Sequence, residues 1–299
     1  MNKKLSSMLI ILLAYIVAFA AGIVTYLFLP DSFLLVYKLL IADLVATVLI
    51  WLISLPLKNA SLYDPYWSVL PPIMIALVMI EYGRFDLPLI FLLVAISVWA
   101  IRLTYNWGKL WTDFSHVDWR YLNFQKMAPK WYWLISFLAV MLVPTLIVFA
   151  QLVGPAFLLS FNGSLNFGTF TILGVTIIIL AALLQLVADT QMQNYKKNPL
   201  NRGRIMRQGL WKYSRHPNYL GEVAVWWGVY LIYVLQFGFD GVIVAPVIMT
   251  LMFVFISVPL MEKKILKTRP EYRDYIKEAG MLVPFPKQLF TKKPIEQEK

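Results

Sequence analysis

The sequence predicts an all-α protein, a polytopic membrane helical bundle of about eight transmembrane helices (seven to eight). Three observations predict it. The 299 residues are 60% hydrophobic and only 14% charged, where soluble domains carry about 25% charge and 45–50% apolar residues. Eight apolar runs come near the roughly 20 residues that a membrane helix needs. The basic residues fall on alternate connections between those runs. Such a composition excludes a soluble enzyme and a disordered chain. With no cysteine, it also excludes a disulfide scaffold.

Six runs are long: Met8–Leu29, Phe33–Leu55, Trp131–Val153, Phe167–Ala188, Tyr219–Phe237 and Gly241–Leu260. Two are shorter, Tyr66–Tyr82 and Leu87–Leu103, and are bounded by aromatic or charged residues. Pro30–Ser32 and Gly238–Asp240 are tight connections, so each flanking pair reads as an antiparallel hairpin. Met8–Leu29 follows two lysines, as a signal peptide would. It is too long for an h-region and is read as a first span. Pro144, Pro246 and Pro259 lie where they can kink spans. Glu262–Glu278 reads as one helix-like stretch. The whole chain is one transmembrane domain over residues 1–299: an N-terminal hairpin (1–60), a region with the large loops (60–285) and a flexible basic tail (286–299).

With the N-terminus inside, 24 of the 27 Lys and Arg residues fall on inside segments, and Arg84 is the sole basic residue of an outside loop. This is the positive-inside pattern. The formal charge of +11 is therefore a topology signal first and an attraction to membrane lipids second. Nucleic acid is not an expected partner. The reading is a multi-pass protein of the cell membrane with both termini cytoplasmic.

Polar residues concentrate on the longest inside connection, from Asp189 to Tyr219. Gln185, Asp189 and Gln193 are four apart and form one stripe at a helix end. Asn218 and Glu222 share a face in the same way. Glu222 begins an apolar span, where an acid calls for a partner, a cavity or a ligand. A bland alternative accompanies each feature. The basic loop serves topology alone, Glu222 pairs with an arginine, and His216 before Pro217 is a turn residue. His116 and Asp118 lack further ligands nearby, so no metal site is expected. No GxGxxG or GxxxxGK[ST] motif is present.

Gly209-Leu-Trp-Lys-Tyr-Ser-Arg-His-Pro-Asn-Tyr-Leu-Gly-Glu222 resembles the signature of the steroid 5-alpha-reductase C-terminal domain superfamily. The resemblance is nearest to the superfamily's bacterial membrane-protein branch. Tyr63-Asp-Pro-Tyr-Trp-Ser68, Arg102-Leu-Thr-Tyr-Asn-Trp107, Asp118-Trp-Arg-Tyr121 and Arg269-Pro-Glu-Tyr-Arg-Asp-Tyr275 extend it over roughly residues 60–285. The resemblance implies a membrane-embedded enzyme that uses NADPH to reduce a carbon–carbon double bond of an enone in a steroid-like, isoprenoid or other lipophilic substrate. Asn218 and Glu222 match the family's cofactor-contacting Asn and Glu, and Asp189 matches an acid on the preceding helix. Arg202, Arg204, Arg207 and Arg215 would meet phosphate, and Tyr213, His216 and Tyr219 complete the cofactor set.

Asp64 takes the position of the family's catalytic Glu, seven residues before Pro71. Asp64-Pro65 also reads as an ordinary helix start, with Asp at the N-cap. The family's Tyr on the next helix has no matching residue. Trp99 falls nearest, and Tyr105, further along the span, is the candidate donor. This departure argues for a lipophile other than a steroid. A related Arg-His-Pro-x-Tyr-x-Gly occurs in membrane methyltransferases that use S-adenosylmethionine, which is the alternative function. A non-catalytic membrane protein that retains the fold is a further alternative.

Overall fold

A backbone in hydrocarbon must satisfy its own hydrogen bonds, and a helix does so within one segment. The computed structural model, which describes residues 3–284, follows that rule: every regular element among the described residues is helical. The helices are α1 (Lys3–Phe28), α2 (Leu35–Leu57), α3 (Tyr66–Glu81), α4 (Leu87–Leu110), α5 (Trp119–Met127), α6 (Tyr132–Ile135) and α7 (Val143–Ser160). They continue with α8 (Thr169–Lys197), α9 (Pro217–Phe237), α10 (Val244–Met252), α11 (Val258–Thr268) and α12 (Tyr272–Glu278). Among the described residues, eight helical stretches are long and apolar enough to cross a membrane by length and composition. These match the eight apolar runs, and the chain is a multi-pass membrane protein on that basis. The basic tail expected at 286–299 lies outside the described residues.

Proline explains two irregularities. The seventh element is preceded by a π-helical stretch, Ser136–Leu142, and another, Phe253–Ser257, precedes α11. Each ends just before a proline, Pro144 and Pro259. Proline offers no N–H and its ring crowds the carbonyl four residues back. Opening the preceding turn to i→i+5 bonding accommodates both defects. Pro246 sits in the first turn of α10, where the N–H has no intrahelical partner anyway. The stretch Glu262–Glu278 is not one helix. It breaks at Arg269–Pro270, because proline also disfavours helical backbone in the residue before it.

The described residues fall into two compact units. The first is drawn from Met1–Val175 and Val229–Ala245, the second from Thr176–Gly228 and Pro246–Lys299. In the first, α1 and α2 make the most extensive helix pair, and α3 and α7 pack with them. Small residues allow the approach. A methyl group on Gly22 would lie 3.1 Å from the Ala42 carbonyl oxygen. In the second, buried Tyr272, Tyr275 and Ala279 form a core with Ile205, Ile265 and Leu266. A neighbouring cluster of Ala188, Met206 and Trp211 pins the long loop to α8, helped by a 3.0 Å bond from the Trp211 indole to the Ala188 carbonyl.

Candidate functional site

The second unit brings the two polar stripes together. On α8, Gln185 and Asp189 are one turn apart; on α9, so are Asn218 and Glu222. The helices run antiparallel, so the stripes meet as rungs. Asn218 Nδ2 donates to Asp189 Oδ1 at 3.2 Å, and Gln185 Nε2 donates to Glu222 Oε2 at 2.7 Å. The Trp226 indole donates to Glu222 Oε1 at 3.2 Å. The outer rung, Asp189–Asn218, is half-buried; the inner rung, Gln185–Glu222, is buried. Gly221 serves helix contact, since an added Cβ would lie 2.4 Å from Gln185 Cγ and 2.8 Å from the Ala181 carbonyl oxygen.

The Gln185 amide and the Trp226 indole, both neutral, donate to the Glu222 carboxylate. Glu222→Gln keeps one acceptor and costs little, because Gln185 can turn its amide to match. Glu222→Leu removes the shared acceptor of two buried donors and is expected to lower stability by about 1–3 kcal/mol more. Denaturant unfolding in detergent measures the difference. Equal stability of the two variants would show that the inner rung is dispensable.

Arg215 and His216 turn toward the C-terminal segment. Arg215 Nε donates to Glu262 Oε1 at 2.7 Å, and its Nη1 donates to the carbonyls of Ala279 (2.6 Å) and Ile276 (3.1 Å). His216 Nε2 lies 3.0 Å from the same Glu262 oxygen, and its ring stacks on Tyr219. The Arg215 N–H donates to the Gly280 carbonyl at 2.8 Å, and the Gly280 N–H donates to Tyr213. The motif thus knits the loop to α11 and α12. Arg207 forms a forked pair with Glu278 at 2.8 Å, exposed to solvent. Arg202 and Arg204 are exposed and pair with no carboxylate among the described residues. Tyr213 is exposed, with the Lys212 ammonium over its ring.

In the first unit, Asp64 closes a short 3-10 turn, Ala60–Tyr63, ahead of α3. Its side chain does not cap the helix; Oδ1 accepts a very short hydrogen bond from the Tyr121 hydroxyl. Tyr121 is buried on α5, whose N-cap Asp118 also holds Arg120 at 2.8 Å. Burial first, and then the neighbouring Asp64 charge, raise the Tyr121 phenol well above its ordinary value. Tyr121 therefore keeps its proton and acts as the donor. Tyr105 is 65% exposed on α4, and the phenol placed on Asp64 is Tyr121. The pair spans 57 residues. Its one sequence signal was the Asp118-Trp-Arg-Tyr121 stretch, which marks a capped helix start.

A family model described as "Protein of unknown function (DUF1295)" matches residues 50–279. The chain belongs to the DUF1295 family. The DUF1295 match encloses the two rungs, the Arg215 knot and the Asp64–Tyr121 pair. The chain is also similar to an uncharacterized protein of Schizosaccharomyces pombe, at 27% identity over 221 residues. That alignment covers 66% of this chain and 63% of the yeast protein, so it spans less than two thirds of that relative's length. No solved structure matches the chain.

Proposed function

We propose that this DUF1295 protein is a membrane-embedded, NADPH-dependent reductase of a carbon–carbon double bond in an enone-type lipophile. In this reading it belongs with the bacterial branch of the steroid 5-alpha-reductase C-terminal domain superfamily. The observation that carries the proposal is the pair of rungs, Asp189–Asn218 and Gln185–Glu222, built on the motif that bears the resemblance. The donor set of the second unit fits a phosphorylated dinucleotide. Arg202 and Arg204 are exposed on the loop that joins α8 to α9, and a guanidinium grips phosphate with two parallel donors. Arg207 can join them, since an exposed ion pair is worth only about 0–1 kcal/mol. Arg215 is spent on Glu262 and two carbonyls. Asp189 and Asn218 supply the half-buried polar rung.

NADPH, when bound, supplies the hydride that adds to the β-carbon of the enone; a proton completes the reduction at the α-carbon. This chain's part is to stabilise the charge that develops on the carbonyl oxygen. One well-placed donor contributes about 3–4 kcal/mol to such a transition state.

Thermal shift of the detergent-purified protein tests the reading. NADPH should raise the melting temperature and S-adenosylmethionine should not. The reverse response would favour the methyltransferase, and no response to either would overturn both. Arg202→Ala with Arg204→Ala should weaken NADPH at least about tenfold while leaving stability within about 0.5 kcal/mol. NADH should be affected less if the 2′-phosphate is read.

We also place the protein in the cell membrane with both termini cytoplasmic, on the strength of the basic residues. Reporter fusions at Asp31, Asp86, Asn162 and Asp240 should read outside. A cytoplasmic reading at Asn162 would break this topology.

A further inference from the structure

Asp43 lies within the α2 span and is 1% exposed. An acid at such a place is a functional-site hypothesis by default. Its Oδ1 accepts from the Tyr66 hydroxyl at 2.8 Å and, more weakly, from Thr47 at 3.4 Å. A buried chain of hydroxyls continues the network: Thr47 to Thr145 at 3.1 Å, and Thr145 to Tyr63 at 2.8 Å. These contacts fix the carboxyl in one orientation. Its other oxygen, Oδ2, is buried with no hydrogen-bond partner, and Asp43 pairs with no cation among the described residues.

Asp43 is also one of the residues that line a cleft of about 200 Å³ between α1, α2 and α3, all within the first unit. An apolar cavity of about 150 Å³ is enough for a benzene ring. The cleft therefore admits a ring or a chain end. Apart from Asp43, Tyr26 and Glu81, the walls are carbon-rich, as at Phe19, Leu39 and Met74. Leu27, Leu77 and Ile80 both line it and are exposed at 67%, 38% and 67%. Exposed apolar residues on a membrane span face acyl chains, so the cleft opens toward lipid. Asp43 and most of α1 and α2 precede the stretch matched by the family model, which starts at residue 50.

We infer that this cleft binds a lipophilic alcohol that enters from the bilayer and places its hydroxyl on Asp43 Oδ2. The walls contain no Lys or Arg, and Lys38, over the Tyr26 ring, is already paired with Asp31, so a phosphate or carboxylate head group would be desolvated beside an acid without a cation of its own. A hydroxyl is suited to either form of the acid, because it donates to a carboxylate and accepts from a carboxyl. The unpartnered oxygen supplies one polar anchor, with the Tyr26 hydroxyl and Glu81 also on the walls, and the apolar walls supply the rest of the affinity, as in lipophile sites generally. The inference is independent of the reductase reading and concerns binding alone.

Photolabelling tests it. The full chain in phosphatidylcholine nanodiscs is irradiated with hexadecanol carrying a mid-chain diazirine, and labelled peptides are mapped by mass spectrometry. Label should concentrate on α1 and α3 at the cleft walls. Unlabelled hexadecanol should compete about tenfold better than heptadecane, the worth of one buried hydrogen bond to a carboxyl. Asp43→Leu should abolish that preference. Leu77→Trp, at the exposed mouth, should reduce labelling without touching Asp43, and it decides the matter if Asp43→Leu fails to fold. Label spread evenly over lipid-facing residues, or equal competition by the two compounds, would overturn the proposal. Stronger competition by hexadecylamine than by hexadecanol would overturn it too, since that marks an amine site.

Discussion

Arg215→Ala is expected to lower stability by about 3–5 kcal/mol, the cost of removing one partner from a buried ion pair. The Arg215 side chain is 7% exposed and Glu262 is 12% exposed. Without the guanidinium, Glu262 keeps His216 and a long contact from Tyr272 at 3.5 Å, but it loses its one permanently charged partner among the described residues. Two carbonyls at the C-terminal end of α12, Ile276 and Ala279, lose their donor as well. Arg215→Lys keeps the charge and loses the fork that reaches three acceptors at once, so it should fall between parent and Ala. The melting temperature should drop by the same amount with and without NADPH. A variant as stable as the parent, defective only in nucleotide binding, would return Arg215 to the cofactor set.

The contrast with Arg202 and Arg204 shows what the sequence could and could not tell. All four arginines lie in one loop with the same charge. Which of them meets a carboxylate depends on Glu262 and Glu278, which lie 47 and 71 residues away from their partners Arg215 and Arg207. No local spacing encodes such a pairing. Spacing did encode the faces. Steps of four at Gln185/Asp189 and Asn218/Glu222 put each pair on one side of a helix, and the antiparallel helices then matched acid to amide. The eight spans were legible because bilayer thickness fixes a length and hydrocarbon tolerates few charges. Their ends were less so. α4 runs on to Leu110 rather than ending at Leu103, and its added turns carry polar residues such as Thr104, which bonds to Ser68 at 2.9 Å. Asp43 was lost in the average hydropathy of Phe33–Leu55, although a lone acid in that run carries more information than its apolar neighbours. The Asp64–Tyr121 pair needed the fold itself, since α5 has to return Tyr121 to the start of α3.

Gly221→Ala is the sharpest probe of the rungs. The added Cβ would meet Gln185 Cγ at 2.4 Å and the Ala181 carbonyl oxygen at 2.8 Å. Both lie below any ordinary Cβ contact, so α8 and α9 have to move apart. Overpacking of this kind costs about 1–3 kcal/mol. The two obstacles differ in kind. Gln185 can swing its side chain away, but only by leaving Glu222 Oε2; the Ala181 oxygen is backbone and moves only with the helix. Removing the side chain by Gln185→Ala should therefore recover part of the loss and not all of it. In a double-mutant cycle the two changes together should cost less than the sum of each alone, by about 0.5 kcal/mol or more. Because the two rungs lie one turn apart on the same pair of helices, separation at Gly221 should lengthen Asp189–Asn218 as well. On the reductase reading NADPH affinity falls with it, and the loss persists in the double variant to the extent that the backbone clash persists. Strict additivity would mean that Gln185 does not pack against Gly221, and the inner rung would then have to be redrawn.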